Sequence, residues 1–157
     1  MSTTTFTLSA AIRQQLNQKS NWRGALSVAR DWGLLVLAFG LCLVWPHPLT
    51  YVLAVLLLSA THAGLAILTH EAAHRSLFAS AKLNDFVGQY LCALPNFNSM
   101  PLYRAYHMQH HRMAGTRDDP DFVMTEKFPV SRSSLRRKLL RDVSGRSGMK
   151  FLLGVVG

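Results

Sequence analysis

Between residues 49 and 69 the chain runs for 21 residues without an Asp, Glu, Lys or Arg. An α-helix needs about 20 consecutive apolar residues to cross the hydrocarbon core of a bilayer. Inside that core only helices and closed barrels satisfy their own backbone polar groups. The segment is therefore expected to be a membrane-spanning helix, with His62 as its one ionisable side chain. Residues 32–45 form a second apolar run, 14 long. It reaches spanning length by extending back through Ala29, Val28 and Leu26, with Arg30 and Asp31 near the interface, where an arginine can snorkel toward water. Pro46, His47 and Pro48 break the chain between the two runs, and Trp45 and Tyr51 flank the break as an aromatic belt would. The pattern predicts a helical hairpin with a very short outer turn.

Charge sets the expected orientation. Only 16% of residues are charged, against about 25% in a typical soluble domain, yet the formal net charge is +9. A basic excess suits either nucleic acid or the cytoplasmic loops of a membrane protein, and the apolar runs select the second; nucleic acid is not expected as a partner. Arg13, Lys19, Arg23 and Arg30 precede or open the first run, Arg75 and Lys82 follow the second, and the turn between has no Lys or Arg. Both ends of the hairpin should face the cytoplasm, with a bacterial inner membrane the expected compartment. The polar N-terminus lacks the basic start and apolar core of a secretory signal. Cys42 and Cys92 sit in apolar surroundings and read as reduced, buried thiols.

The expected fold class is all-α. Residues 1–24 form a polar cytoplasmic N-terminus and 25–79 the transmembrane hairpin. Residues 80–126 hold an interfacial or re-entrant helix ended by Pro95, then a histidine-rich segment. Residues 127–150 carry eight basic side chains and one acid, Asp142. Leu135, Leu139, Leu140 and Val143 share one helical face there, which fits an amphipathic helix on anionic lipid or an ordinary positive-inside loop. Residues 151–157 read as the start of a further span, so the chain is expected to be truncated.

Two histidine clusters carry the chemistry. His70 and His74, four apart at the end of the second run, share one helical face. His107, His110 and His111 follow at i, i+3 and i+4. His70-Glu71-Ala72-Ala73-His74 also spells the zinc-protease signature, in which Glu71 would be the general base. A catalytic zinc needs three protein ligands. Five imidazoles exceed that, and imidazole suits iron as well. His47, at the outer turn, and His62, roughly 12 Å deeper along the helix than His70, are badly placed to join them. For His62 a hydrogen bond to a neighbouring helix is the expected role.

These motifs resemble the membrane fatty acid desaturases, a family that also includes carotenoid ketolases and hydroxylases. HEAAHRSLF, LNDFVGQYLCALP, YRAYHMQHH, GTRDDPDF and LRRKLLRDVSGRSG all look like segments of bacterial members, from about residue 68 to 148. The resemblance implies a centre of two non-haem irons that uses O₂ to introduce a double bond into an acyl chain, with electrons from a ferredoxin or a cytochrome b5-like protein. Carried over residue by residue, it makes His70, His74, His107, His110 and His111 metal ligands. Glu71, Asp118, Asp119 and Asp121 become candidates for orienting those imidazoles. Arg104 would pair with such a carboxylate or lie on the surface as a free charge. The family has a third histidine cluster downstream, and no histidine follows His111. The chain as given is therefore expected to hold part of a metal site and to be inactive alone. The rival readings are a ketolase or hydroxylase of the same superfamily, a membrane zinc metalloprotease, and a non-catalytic membrane fragment.

Overall fold

A computed structural model describes residues 9–156. The first eight residues of the polar N-terminus, and Gly157 at the end of the expected further span, lie outside the described residues. The described chain is all helical, without a strand: α1 (Ala10–Leu16), α2 (Asn21–Val44), α3 (Pro48–Ala73), α4 (Ala81–Val87), α5 (Met100–Met113), α6 (Phe122–Thr125), α7 (Arg132–Val143) and α8 (Arg146–Val156). A π-turn (Gly88–Ala93) and a 3-10 turn (Leu94–Asn96) join α4 to α5. The chain divides into two compact units, Met1–Gln109 and His110–Gly157.

In the first unit the hairpin appears as two helices, α2 and α3, long and apolar enough to cross a membrane. Of their apolar windows only 17% and 28% is buried, far less than in the core helix of a soluble protein. Val36, Phe39, Leu43 and Val44 on α2, and Leu49, Val52, Val55 and Ile67 on α3, are all exposed. Apolar surface on this scale calls for a lipid environment.

Capping sets both helix starts. Ser20 accepts the Arg23 N–H, so α2 begins at Asn21, several residues before the expected Leu26. At α3, Pro48 opens the helix and the Nδ1 of His47 accepts the Leu49 N–H. His47 is thus a helix cap. Asp31 is buried at 2% exposure. Its carboxylate takes a hydrogen bond from the Arg30 guanidinium at 2.7 Å and fits into the space above Gly64 of α3. A Cβ at Gly64 would collide with that carboxylate, so only glycine lets the helices approach here. The other intramembrane candidate, His62, bonds the Leu58 carbonyl of its own helix at 3.0 Å, not a neighbouring one.

The expected interfacial segment is divided into α4, the π-turn and the 3-10 turn. Asn21 at the start of α2 holds its entry, with Oδ1 accepting the N–H groups of Ala79 at 2.9 Å and Ser80 at 3.1 Å. The Trp32 indole N–H donates to the Leu91 carbonyl at 3.0 Å. Gly88 lets the π-turn lie against α3, since a Cβ there would stand 2.6 Å from the Cβ of Ala72. Leu65, Leu68, Ala72, Phe78, Cys92 and Met100 close the core at this junction. Burial, aided by the charge of Asp31, pushes the Cys92 thiol up to about 12, so it packs as an inert small hydrophobe.

The second unit holds α6, α7 and α8. The expected amphipathic helix is α7, capped by Ser131, which accepts the Ser134 N–H at 3.2 Å. The apolar tail of the sequence belongs to α8, which starts at Arg146, ahead of the expected residue 151.

Candidate metal centre

His70 lies on the last turn of α3 and His74 is its C-cap. The helix therefore carries both imidazoles out of the apolar run on one face, as the four-residue spacing requires. α5 brings His107 to them. The Nε2 atoms of His74 and His107 lie 2.9 Å apart, and the ligand nitrogens of His70, His74 and His107 all fall within 4.8 Å of one another. The three rings stand edge to face with centroids 4.5 to 4.8 Å apart. Tyr103, one turn earlier on α5, stacks on His107 at 5.3 Å and 7° and fixes its ring plane. Convergent imidazole nitrogens from two helices are the donor set that a borderline divalent transition metal takes.

Glu71 serves this triad from the side. One carboxylate oxygen lies 3.3 Å from His70 Nδ1 and the other accepts the Ser76 hydroxyl at 2.6 Å. Both oxygens are engaged in holding neighbours, which suits the orienting role better than that of a base poised at a water molecule.

A second device, which the sequence reading missed, holds α5 to the end of α3. The last carbonyls of a helix lack partners inside it and carry the negative end of its dipole. Arg104, one turn before His107, donates to the Ala73 carbonyl at 3.0 Å and to the Ala72 carbonyl at 2.9 Å. It also donates to Asp85 of α4 at 2.6 Å. The fully buried Asn84 adds a hydrogen bond to the Ala72 carbonyl at 2.9 Å. Arg104 is thus neither a free surface charge nor a partner of Asp118, Asp119 or Asp121 in these contacts. Burial works to raise the Asp85 carboxyl, but hydrogen bonds from Arg104 and Asn84 and the charges of Arg104 and Arg75 outweigh it, so Asp85 sits below its ordinary value.

In the second unit, His110 Nδ1 donates to Asp119 at 2.7 Å and lies 3.2 Å from Asp121. The hydrogen bond to Asp119 raises the His110 imidazole above its ordinary value; burial opposes this and the two carboxylate charges assist it. Asp119 is lowered by the same hydrogen bond, against burial, and by the N–H groups of Asp121 and Gly115. An Nδ1–H held by a carboxylate fixes the tautomer whose lone pair is on Nε2, the arrangement usual for metal-binding histidines. His111 packs its ring edge against His110 at 5.8 Å. Asp118 is exposed in the turn between them and α6.

Comparison with known proteins adds an independent observation. The fatty acid desaturase family model matches residues 44–157. Dihydrorhizobitoxine desaturase of Bradyrhizobium elkanii is 34% identical over 119 residues, which is 72% of this chain and 33% of that protein. A beta-carotene ketolase of Paracoccus sp. (strain PC1) is 42% identical over 77 residues, 48% of this chain and 32% of the ketolase. Beta-carotene 4-ketolase of Protosiphon botryoides is 36% identical over 80 residues, 50% of this chain and 20% of its own length. The chain thus spans about a third or less of the curated relatives it matches. No solved structure matches it.

Proposed function

This chain belongs to the fatty acid desaturase family, and from that premise we propose that it contributes metal ligands to an O₂-dependent di-iron oxidoreductase that introduces a double bond into an acyl chain. The observation that carries this reading is the convergence of His70 and His74, at the end of α3, with His107, in the middle of α5, two imidazole nitrogens lying 2.9 Å apart. The donor chemistry fits iron. His70, His74 and His107 would hold it, and the family resemblance would make His110 and His111 metal ligands as well. The iron supplies what no side chain can, the activation of O₂ to remove hydrogen from an unactivated C–H bond.

The chain's own residues have defined tasks in this scheme. Glu71 holds the His70 ring, Tyr103 the His107 ring and Asp119 the His110 tautomer. Arg104 and Asp85 keep α5 docked on the end of α3. The acyl substrate would come from the bilayer and electrons from a ferredoxin or a cytochrome b5-like carrier. Metal analysis tests the assignment. The chain, purified anaerobically as expressed with a tag free of histidine, is expected on elemental analysis to retain iron weakly, and His74→Ala to retain none. One tightly held zinc per chain, with iron excluded, would instead support a hydrolase built on the His70–Glu71–His74 motif.

The similarity to beta-carotene ketolases favours a second reading, oxygenation of a carotenoid ring at the same centre. Lipid and carotenoid profiles of the host with and without the gene separate the two, since each class of product is read from the same extract.

Sidedness belongs to the proposal as well. Lys and Arg flank the ends of the hairpin and are missing from its turn, so the histidines should be cytoplasmic. A membrane-impermeant thiol reagent added to intact cells is expected to label His47→Cys and not Lys82→Cys. Labelling of the second variant from outside would invert the topology.

A further inference from the structure

α7 and α8 enclose a concavity of about 920 Å³ whose wall carries five cations, Arg137, Lys138, Arg141, Arg146 and Lys150. Residues 127–150 contain a single acid, Asp142, and it is already held by the Ser147 hydroxyl and lies 3.9 Å from Arg141. Arg137 and Arg141 are four apart on one helix, a like-charge spacing that destabilises it. Neither α7 nor α8 has an acid in its first turn, and each begins with an arginine, opposite to the dipole preference. The segment therefore gathers positive charge around a hollow without the counter-charge to balance it. Ser134 and Ser144 add hydroxyls to the same wall.

The apolar side chains say where the counter-charge comes from. Leu135, Leu139 and Val143 on α7 and Met149, Leu152 and Leu153 on α8 are exposed. α7 thus turns the cations of the hollow to one face and Leu139 and Val143 to the opposite one, an amphipathic division that suits the level of the bilayer where phosphates meet acyl chains. We propose that the α7–α8 concavity binds the phosphate of an anionic phospholipid headgroup, with Arg137 and Arg141 as its principal ligands. This site is separate from the metal centre and its test does not depend on iron or turnover.

The experiment is native mass spectrometry of the full chain in detergent, titrated with phosphatidylglycerol or phosphatidylcholine. Phosphatidylglycerol is expected to be retained about tenfold more tightly, in line with the attraction of a few basic residues to anionic lipid. The decisive comparison uses two double variants that lose equal charge from the same helix. Arg137→Gln with Arg141→Gln removes cations of the wall, and should abolish the preference. Arg132→Gln with Arg136→Gln removes cations outside it, and should leave the preference within about threefold. All four positions are exposed, so helicity by circular dichroism should be unchanged in both. Equal losses in the two double variants would reduce the effect to general electrostatics and overturn the site. So would displacement of the lipid by millimolar inorganic phosphate, which would make the hollow a site for free anions, or tighter binding of a short RNA than of phosphatidylglycerol at physiological salt.

Discussion

In a full-length parent that carries out the proposed reaction, His74→Ala is expected to eliminate the oxidised product, whereas Glu71→Gln should retain a tenth to a hundredth of it, the loss typical when a group orienting a metal ligand is changed. The two residues lie three apart on one helix end and are tied to the centre in different ways. His74 places a ring nitrogen 2.9 Å from that of His107, so its loss removes one of the three donors of the triad. Glu71 reaches the centre only through the His70 ring, and the Ser76 hydroxyl still holds the residue in place after the change. Gas chromatography of host fatty acids and chromatography of its carotenoids read both variants against the unaltered strain. In a zinc hydrolase the order of damage would differ, because there the glutamate moves the proton of the attacking water. A Glu71→Gln variant as inactive as His74→Ala, with its metal retained, would count against the desaturase reading.

The hairpin was legible because lipid imposes a one-dimensional rule: an uncharged run of spanning length must be a helix. The histidine pairs were legible because a period of 3.6 residues converts spacing into a shared face. Charge within a span was harder to read. That Asp31 packs against Gly64 was not legible, because the placement depends on a glycine 33 residues away. His47 looked like an outlying imidazole, although its position just before Pro48 and an apolar run is a capping signal. The π-turn at Gly88–Ala93 lies in a stretch where Phe86, Val87, Tyr90, Leu91 and Leu94 recur at helical spacing, so it read as part of one continuous helix. Asn84 and Asp85 read merely as polar residues of an interfacial helix. Their partners are the carbonyl of Ala72 and the guanidinium of Arg104, which only the folded chain brings near.

That pairing underlies the other large effect. Arg104→Ala is expected to destabilise the first unit by roughly 2–4 kcal/mol, since it removes charge-assisted hydrogen bonds of about 1.5–3 kcal/mol and a cation at a helix C-terminus of about 0.3–1 kcal/mol, partly offset by water at the half-exposed Asp85. The Ala72 carbonyl keeps the Asn84 amide, but the Ala73 carbonyl loses the Arg104 hydrogen bond, and α5 loses its tie to α3 just one turn before His107. Arg104→Lys should recover part of the loss, because an ammonium can reach one of the three acceptors but cannot span them as the planar fork does. The effect has a pH signature. Asp85 is depressed in the folded chain, so its contribution is present at and above the ordinary aspartate value and is lost as pH falls through the lowered one. Acid should therefore weaken the unaltered chain more than Arg104→Ala, narrowing the gap between them. Unfolding in mild detergent by titration with dodecyl sulfate, followed by near-ultraviolet circular dichroism at neutral and acid pH, measures both. A variant within about 0.5 kcal/mol of the unaltered chain, the range of ordinary surface substitutions, would show that Arg104 does not hold the centre together.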